Sequence, residues 1–266
     1  MLKKWIGLTA LLVLVLATPG LASALVLNQD PEAEIRFNTG VRMLRDGFTE
    51  GALSEIQEAL KKDPQNGFYL KGLGITYSQL ADKCRPDDNG CRNNNFKKAA
   101  EAAQKALTLN PDYVDVRNDL GIALLRLGKR TEGKAELARA FADPQCPTPE
   151  VTAWNLGQAF FEEKEFNEAL TWFQAALNRN KSFAAAYASI ADVLMNTGQA
   201  EAAILQLETG LKETGENTAL QLALGDAYLR VGRFQDARAL FEKVARKDPL
   251  GPGGRAATAR LAAFPR

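Results

Sequence analysis

The sequence predicts an all-α solenoid of about six helix–turn–helix units closed by a C-terminal capping helix. Three observations carry this. A small residue recurs after a β-branched or aliphatic one at Thr39-Gly40, Leu73-Gly74, Leu120-Gly121, Leu156-Gly157, Ile190-Ala191 and Leu224-Gly225, and the last three lie 34 residues apart. Twelve positions later comes another small residue: Ala52, Gly133, Ala169, Ala203 and Ala237, with Ala99 in a stretched second unit. Large apolar residues follow the first set by three: Met43, Tyr77, Leu124, Phe160, Leu194 and Tyr228. A fixed period in this range is the mark of stacked supersecondary units, none of which can bury its apolar face alone.

The elements follow in chain order. Met1–Lys4 carries two lysines, Ile6–Ala17 is an apolar run, and Ala22-Ser23-Ala24 follows the Pro19-Gly20 break. This reads as a signal peptide over 1–24, cut before Leu25, which sends the chain to the periplasm. The alternative is an inner-membrane anchor through residues 5–27, because apolar character resumes at Leu25-Val26-Leu27. No cysteine follows the run, so no lipid-attachment site is visible. Residues 25–32 read as a linker. The units then run 33–66, 67–113, 114–147, 150–183, 184–217 and 218–251. Pro64, Pro111 and Pro249 close three of them. Gly47, Gly128, Gly198 and Gly232 fall at the turn inside a unit, where a helix C-terminus favours a left-handed residue. After the Pro249–Gly254 break, the segment 252–266 is rich in Ala and Leu and reads as a cap over the last unit.

These residues resemble the tetratricopeptide repeat, a 34-residue helix A–turn–helix B with small residues at positions 8, 20 and 27 and proline at 32. Position 1 is then residue 33, 67, 114, 150, 184 or 218. The small residues at 8 and 20 let A and B approach, and position 27 lets B meet the next A. The resemblance implies a right-handed superhelix whose concave face is lined by A helices and takes a helical or extended segment of a protein partner. At about 100° per residue, positions 2, 5, 9, 12 and 13 gather on that face. The candidate groove residues are Phe37, Val41, Phe68, Lys71, Ile75, Asn118, Trp154, Gln158 and Phe161. Aromatic residues there either anchor a partner or pack on a neighbouring helix. Trp154 and Phe161, seven residues apart, are expected to share a face. Chaperone-binding members of the family grip a C-terminal carboxylate with Lys at position 5 and Asn at position 9. Lys71 matches the first, but Ile75 stands at the second, so that clamp is not supported.

Two departures stand out. The second unit carries 13 extra residues, Ala81–Asn93, whose Pro, Asp, Asn and Gly read as a surface loop. Cys84 and Cys91 frame it. Export to an oxidising compartment would pair them, whereas a reducing compartment would leave all three thiols free. Cys146 lies on the opposite edge of the stack, roughly a helix length of 20 Å away, beyond disulfide reach. The second departure is the connector Asp143–Pro149, with three prolines. With Asn155-Leu156-Gly157 it resembles the periplasmic proteins of type IV pilus biogenesis of the PilF/PilW/Tgl type. That resemblance implies a pilotin-like scaffold whose partner is a secretin or pilus component. The lipidated cysteine usual in that group is absent, and Cys146 stands where an aromatic is usual.

Composition bounds the function classes. Lys and Arg number 33 against 32 Asp and Glu. Without Lys3 and Lys4 of the leader the balance is 31 against 32. Such a chain has no broad electrostatic claim on nucleic acid, and after cleavage no segment is left to span a membrane. There is no histidine, which removes Ser-His and Cys-His catalysis and His-ligated zinc. No phosphate loop or nucleophile elbow is present, so no enzyme, cofactor or metal is expected. Beside pilus biogenesis stands a broader reading, a cell-envelope adaptor in polysaccharide export or envelope complex assembly.

Overall fold

A computed structural model describes residues 30–264. The leader and its cleavage site lie outside the described residues. Thirteen helices follow one another, with no strand among the described residues: α1 (Pro31–Arg45), α2 (Thr49–Lys62), α3 (Gly67–Lys83), α4 (Asn89–Leu109), α5 (Val114–Arg126), α6 (Arg130–Ala142), α7 (Pro149–Glu162), α8 (Phe166–Arg179), α9 (Ala184–Asn196), α10 (Ala200–Thr214), α11 (Thr218–Arg230), α12 (Phe234–Lys247) and α13 (Pro252–Ala262). The first twelve form six hairpins of an A and a B helix, and α13 lies over α12 as a further A helix. Each A packs on its own B, each B on the next A, and successive A helices also touch. The A helices therefore line the inside of the curve.

The periodic small residues do what their spacing requires. Ala52, Ala99, Gly133, Ala169, Ala203 and Ala237 are all buried, as are Ala59, Ala106, Ala140, Ala176 and Gly210 at position 27. Position 8 is where A and B come closest. A Cβ on Gly157 would lie 2.5 Å from the Phe173 ring, and one on Gly225 would lie 2.4 Å from Phe241. Side chains of ordinary size at these sites would push the hairpin apart.

The hairpin turns are left-handed. Gly47, Gly128, Gly198 and Gly232 have φ of 85°, 78°, 76° and 79°. In the fourth unit the same place is taken by Lys164, at φ 61°. Its run Glu162–Glu165, read from sequence as solvated helix surface, is thus a turn. Its geometry is imposed by the α7–α8 packing and not by a glycine.

The expected loop at Ala81–Asn93 is mostly helix. α3 continues to Lys83, with Ala81 fully buried, and α4 begins at Asn89. Only Cys84–Asp88 remains non-helical. The polar composition that signalled a loop works here as a cap, since the Asp88 side chain accepts from the Cys91 amide at 2.8 Å. Cys84 and Cys91 form a disulfide across the tip, Cα–Cα 6.0 Å, and Cys146 is free. At the other end of the chain, α1 starts at Pro31 with Asp30 as its N-cap, inside the segment read as linker.

The apolar core is not continuous. One cluster of buried residues runs from Ala153 through Phe173, Leu207 and Phe241 to Ala257, covering the last three hairpins and the cap. Three smaller clusters serve the first three hairpins.

Candidate partner-binding groove

The concave face read from the sequence divides into two kinds of position. Position 5 of each A helix reaches across to position 6 of the next. Phe37 is only 3% exposed. It stacks on Tyr69 with ring centroids 4.6 Å apart, and a Cβ on Gly72 would lie 2.6 Å from its ring. Trp154 is half-buried, and its Nε1 donates to Ser189 Oγ at 2.9 Å. Gln158 Nε2 donates to the same oxygen at 3.0 Å. Lys71 forms an ion pair with Asp115 and lies over the Phe68 ring. Phe37, Lys71 and Trp154 are therefore first of all joints between units. Phe37 is corrected from an exposed anchor to core, because the adjacent glycine opens a socket for its ring.

Positions 9, 12 and 13 line open clefts. The first, about 300 Å³, has Val41, Leu44 and Arg45 on one side and Ile75 and Gln79 on the other. Phe37 and Lys71 also border it, and Phe68, 52% exposed, stands at its wall 5.1 Å from the Phe37 ring. The second, about 230 Å³, lies between α5 and α7, with Ile122, Leu125 and Arg126 facing Trp154, Gln158 and Glu162. Phe161 does not share this cleft with Trp154. Its ring turns to Phe166, 5.8 Å away, because α8 opens with that phenylalanine just past the Lys164 turn. The cleft face of α7 instead runs 154, 158, 162, one step of a helical ridge each.

Asn118 is half-buried on α5. Its Nδ2 donates to Asp119 Oδ1 at 3.5 Å, while its Oδ1 is buried with no hydrogen-bond partner. Asp119 itself is pushed up to about 6, first by burial and then by the neighbouring Asp115 carboxylate. At the far end Arg260 of α13 grips Asp226 with two bonds of 2.7 Å, fixing the cap to the groove wall. Asp119, Ser189 and Arg260 were missed from the sequence. A signal existed: Phe37 and Gly72, like Trp154 and Ser189, are 35 residues apart, one repeat plus one. No group of three or more Cys, Asp or Glu able to hold a metal occurs among the described residues.

Comparison with known proteins agrees with this geometry. Two family models, both described as tetratricopeptide repeat, match residues 91–213 and 188–252. The chain belongs to the tetratricopeptide repeat family. Among solved structures, PilW, described as a widely conserved type IV pilus biogenesis factor, is similar with a TM-score of 0.67 at 22% identity, covering 85% of this chain and 98% of that one. PilF of Pseudomonas aeruginosa is similar with a TM-score of 0.64 at 20% identity, covering 87% and 99%. YrrB, a tetratricopeptide repeat protein with a peptide-binding site, gives 0.51 at 18% identity, covering 76% and 96%. These likenesses show the fold. Among curated sequences, the CTR9 homolog of Arabidopsis thaliana is 23% identical over 223 residues, and SPINDLY of Hordeum vulgare is 29% identical over 163. They cover 82% and 58% of this chain. The chain spans only 19% and 16% of the length of those relatives. The tetratricopeptide repeat array is a scaffold for protein interaction. No helix among the described residues is long and apolar enough to cross a membrane.

Proposed function

We propose that this chain is a non-enzymatic, exported scaffold that holds a segment of a protein partner in its concave groove during type IV pilus biogenesis or secretin assembly. The observation that carries the binding reading is the first cleft. It is an apolar trough of Val41, Leu44, Phe68 and Ile75, open to solvent, with Arg45 and Lys71 beside it. Aromatic and aliphatic walls with a few cations at the rim suit an amphipathic helical or extended segment. Export is supported by the Cys84–Cys91 disulfide, a bond that persists in oxidising compartments. The pilus assignment is supported by the likeness to PilW and PilF along nearly their whole length. The disulfide alone would equally suit a general cell-envelope adaptor.

The test is co-purification from envelope extract with the wild-type chain and with Phe68→Ala. Phe68 is exposed, so its truncation leaves the fold intact. Loss at a binding hot spot is on the order of 2 kcal/mol, or more than tenfold in affinity. Recovery of a secretin or pilus component by the wild type and its loss with Phe68→Ala supports the proposal. Recovery of an envelope complex of another kind favours the broader adaptor. Equal capture by both proteins rejects the first cleft as the binding site. An N-terminus other than Leu25 in the native protein rejects the cleavage.

A further inference from the structure

We propose that the junction between the third and fourth hairpins is a joint about which the two halves of the solenoid swing, narrowing or widening the groove at its middle.

Elsewhere along the concave wall, successive A helices are fastened to one another. Phe37 sits in the socket over Gly72, and Lys71 pairs with Asp115. Trp154 and Gln158 share Ser189, and Asp226 holds Arg260. At the α5–α7 junction the residue in the fastening position is Asn118, opposite Asn155 by the repeat register. Its Oδ1 is the buried side-chain acceptor left without a partner. In place of a fastening there is the second cleft, with Asn155 in its lining. A buried acceptor without a partner costs about 1–3 kcal/mol, so this arrangement gains from any movement that reaches a donor or water.

The rest of the junction is built for movement of the same kind. The buried core cluster of the C-terminal half begins at Ala153, and the clusters of the N-terminal half end at Leu124. What crosses between α6 and the end of α7 is charged. Arg130 pairs with Glu162 at 3.0 Å and Glu163 at 3.5 Å, and Lys134 pairs with Glu163 at 2.6 Å. Ion pairs are long-ranged and tolerate sliding where interdigitated apolar side chains do not, and salt screens them. One apolar contact, Phe141 edge-on to Trp172 at 5.4 Å, remains near the connector and serves as a pivot. The connector itself, Asp143–Thr148, is the longest stretch between any two hairpins, and its prolines keep it from joining α6 to α7 as one rod.

The experiment measures distances in the full chain by paired spin labels, with Cys146→Ser so that only introduced cysteines react. Three pairs span equal numbers of units at exposed sites: Ser54 with Thr131, Gln104 with Thr171, and Thr171 with Gln235. Only the second crosses the proposed joint. We expect its distance distribution to be at least about twofold broader than the other two, and broader still at about 0.5 M salt, where ion pairs are screened to within a few ångströms. Lys134→Met, which keeps the stem over the Phe160 ring but removes the charge, should broaden that pair alone. Three equal widths that ignore both salt and Lys134→Met overturn the proposal.

Discussion

Trp154 offers the sharpest test of how the groove wall is built. Its indole N–H and the Gln158 amide both end on one buried hydroxyl, Ser189 Oγ. Trp154→Phe keeps most of the ring and removes one hydrogen bond. A net bond of this kind is worth about 1 kcal/mol. Ser189→Ala strands the indole N–H; Gln158 borders an open cleft and turns to water, so about 1–2 kcal/mol is lost. Once either partner is gone, removing the other costs little, so the double variant should fall short of additivity by about 1 kcal/mol. Trp154→Ala also gives up a half-buried indole and its edge contact with Phe183, 6.3 Å between centroids. That brings its cost to about 2–3 kcal/mol. Urea unfolding followed by far-ultraviolet circular dichroism reads this directly: with a slope near 2–3 kcal/mol per molar, the Trp154→Ala midpoint should drop by about 1 M. Helical content without denaturant should be unchanged. Strict additivity of Trp154→Phe and Ser189→Ala, within about 0.3 kcal/mol, would refute the reasoning, because it would mean that the bond does not fasten α7 to α9.

Three further outcomes follow from the geometry. Gly225→Ala should destabilise the last hairpin by about 1–3 kcal/mol, since its Cβ would meet Phe241 at 2.4 Å; Gly74→Ala, whose nearest neighbour is a backbone oxygen at 3.5 Å, should stabilise by up to about 1 kcal/mol, both read from thermal unfolding. Asp119 has its folded carboxyl raised to about 6, above the unfolded value of 3.8, so its ionisation opposes folding at neutral pH and the penalty is relieved as pH falls through 6 towards 4. Asp119→Asn should therefore stabilise the protein at pH 7 and lose that advantage near pH 4, and an equal gain at both pH values would count against the burial of this charge. Lys164→Gly should raise stability by about 0.5–1 kcal/mol by relieving the left-handed turn, and a loss of stability would show that the Lys164 side chain contributes more than its backbone costs.

The architecture was legible in the sequence because close helix–helix approach demands small residues at fixed intervals. Gly40, Ala52 and Ala59 announce a hairpin before any coordinate is known. Side-chain direction on the groove was less legible. A helical wheel treats α1 or α7 as isolated, so position 5 falls with 9 and 12. In the stack the next A helix covers position 5, and Phe37 disappears into the socket over Gly72. Phe161 escaped for a similar reason, since only the fold brings Phe166 to it. The insert was misread because Asp, Asn and Gly serve loops and helix caps alike. The buried Ala81 and the Asp88 cap decide for helix.

The matching of each A helix to the next has a consequence for how such an array can change over generations. Tandem repeats gain and lose copies through unequal recombination, which leaves the 34-residue phase intact. Here the copies are not interchangeable. Excising residues 67–113 would keep every small residue in phase yet set the Phe37 ring against Asp119 in place of Gly72. Excising 150–183 would bring Asn118 opposite Ser189 and remove the indole that Ser189 serves. Each unit thus carries half of a lock whose key lies in its successor. Both the number and the order of units are guarded by side chains that the repeat consensus does not contain. The same mismatch penalises a nascent chain that pairs a hairpin with the wrong neighbour, a hazard that grows as repeats become more alike.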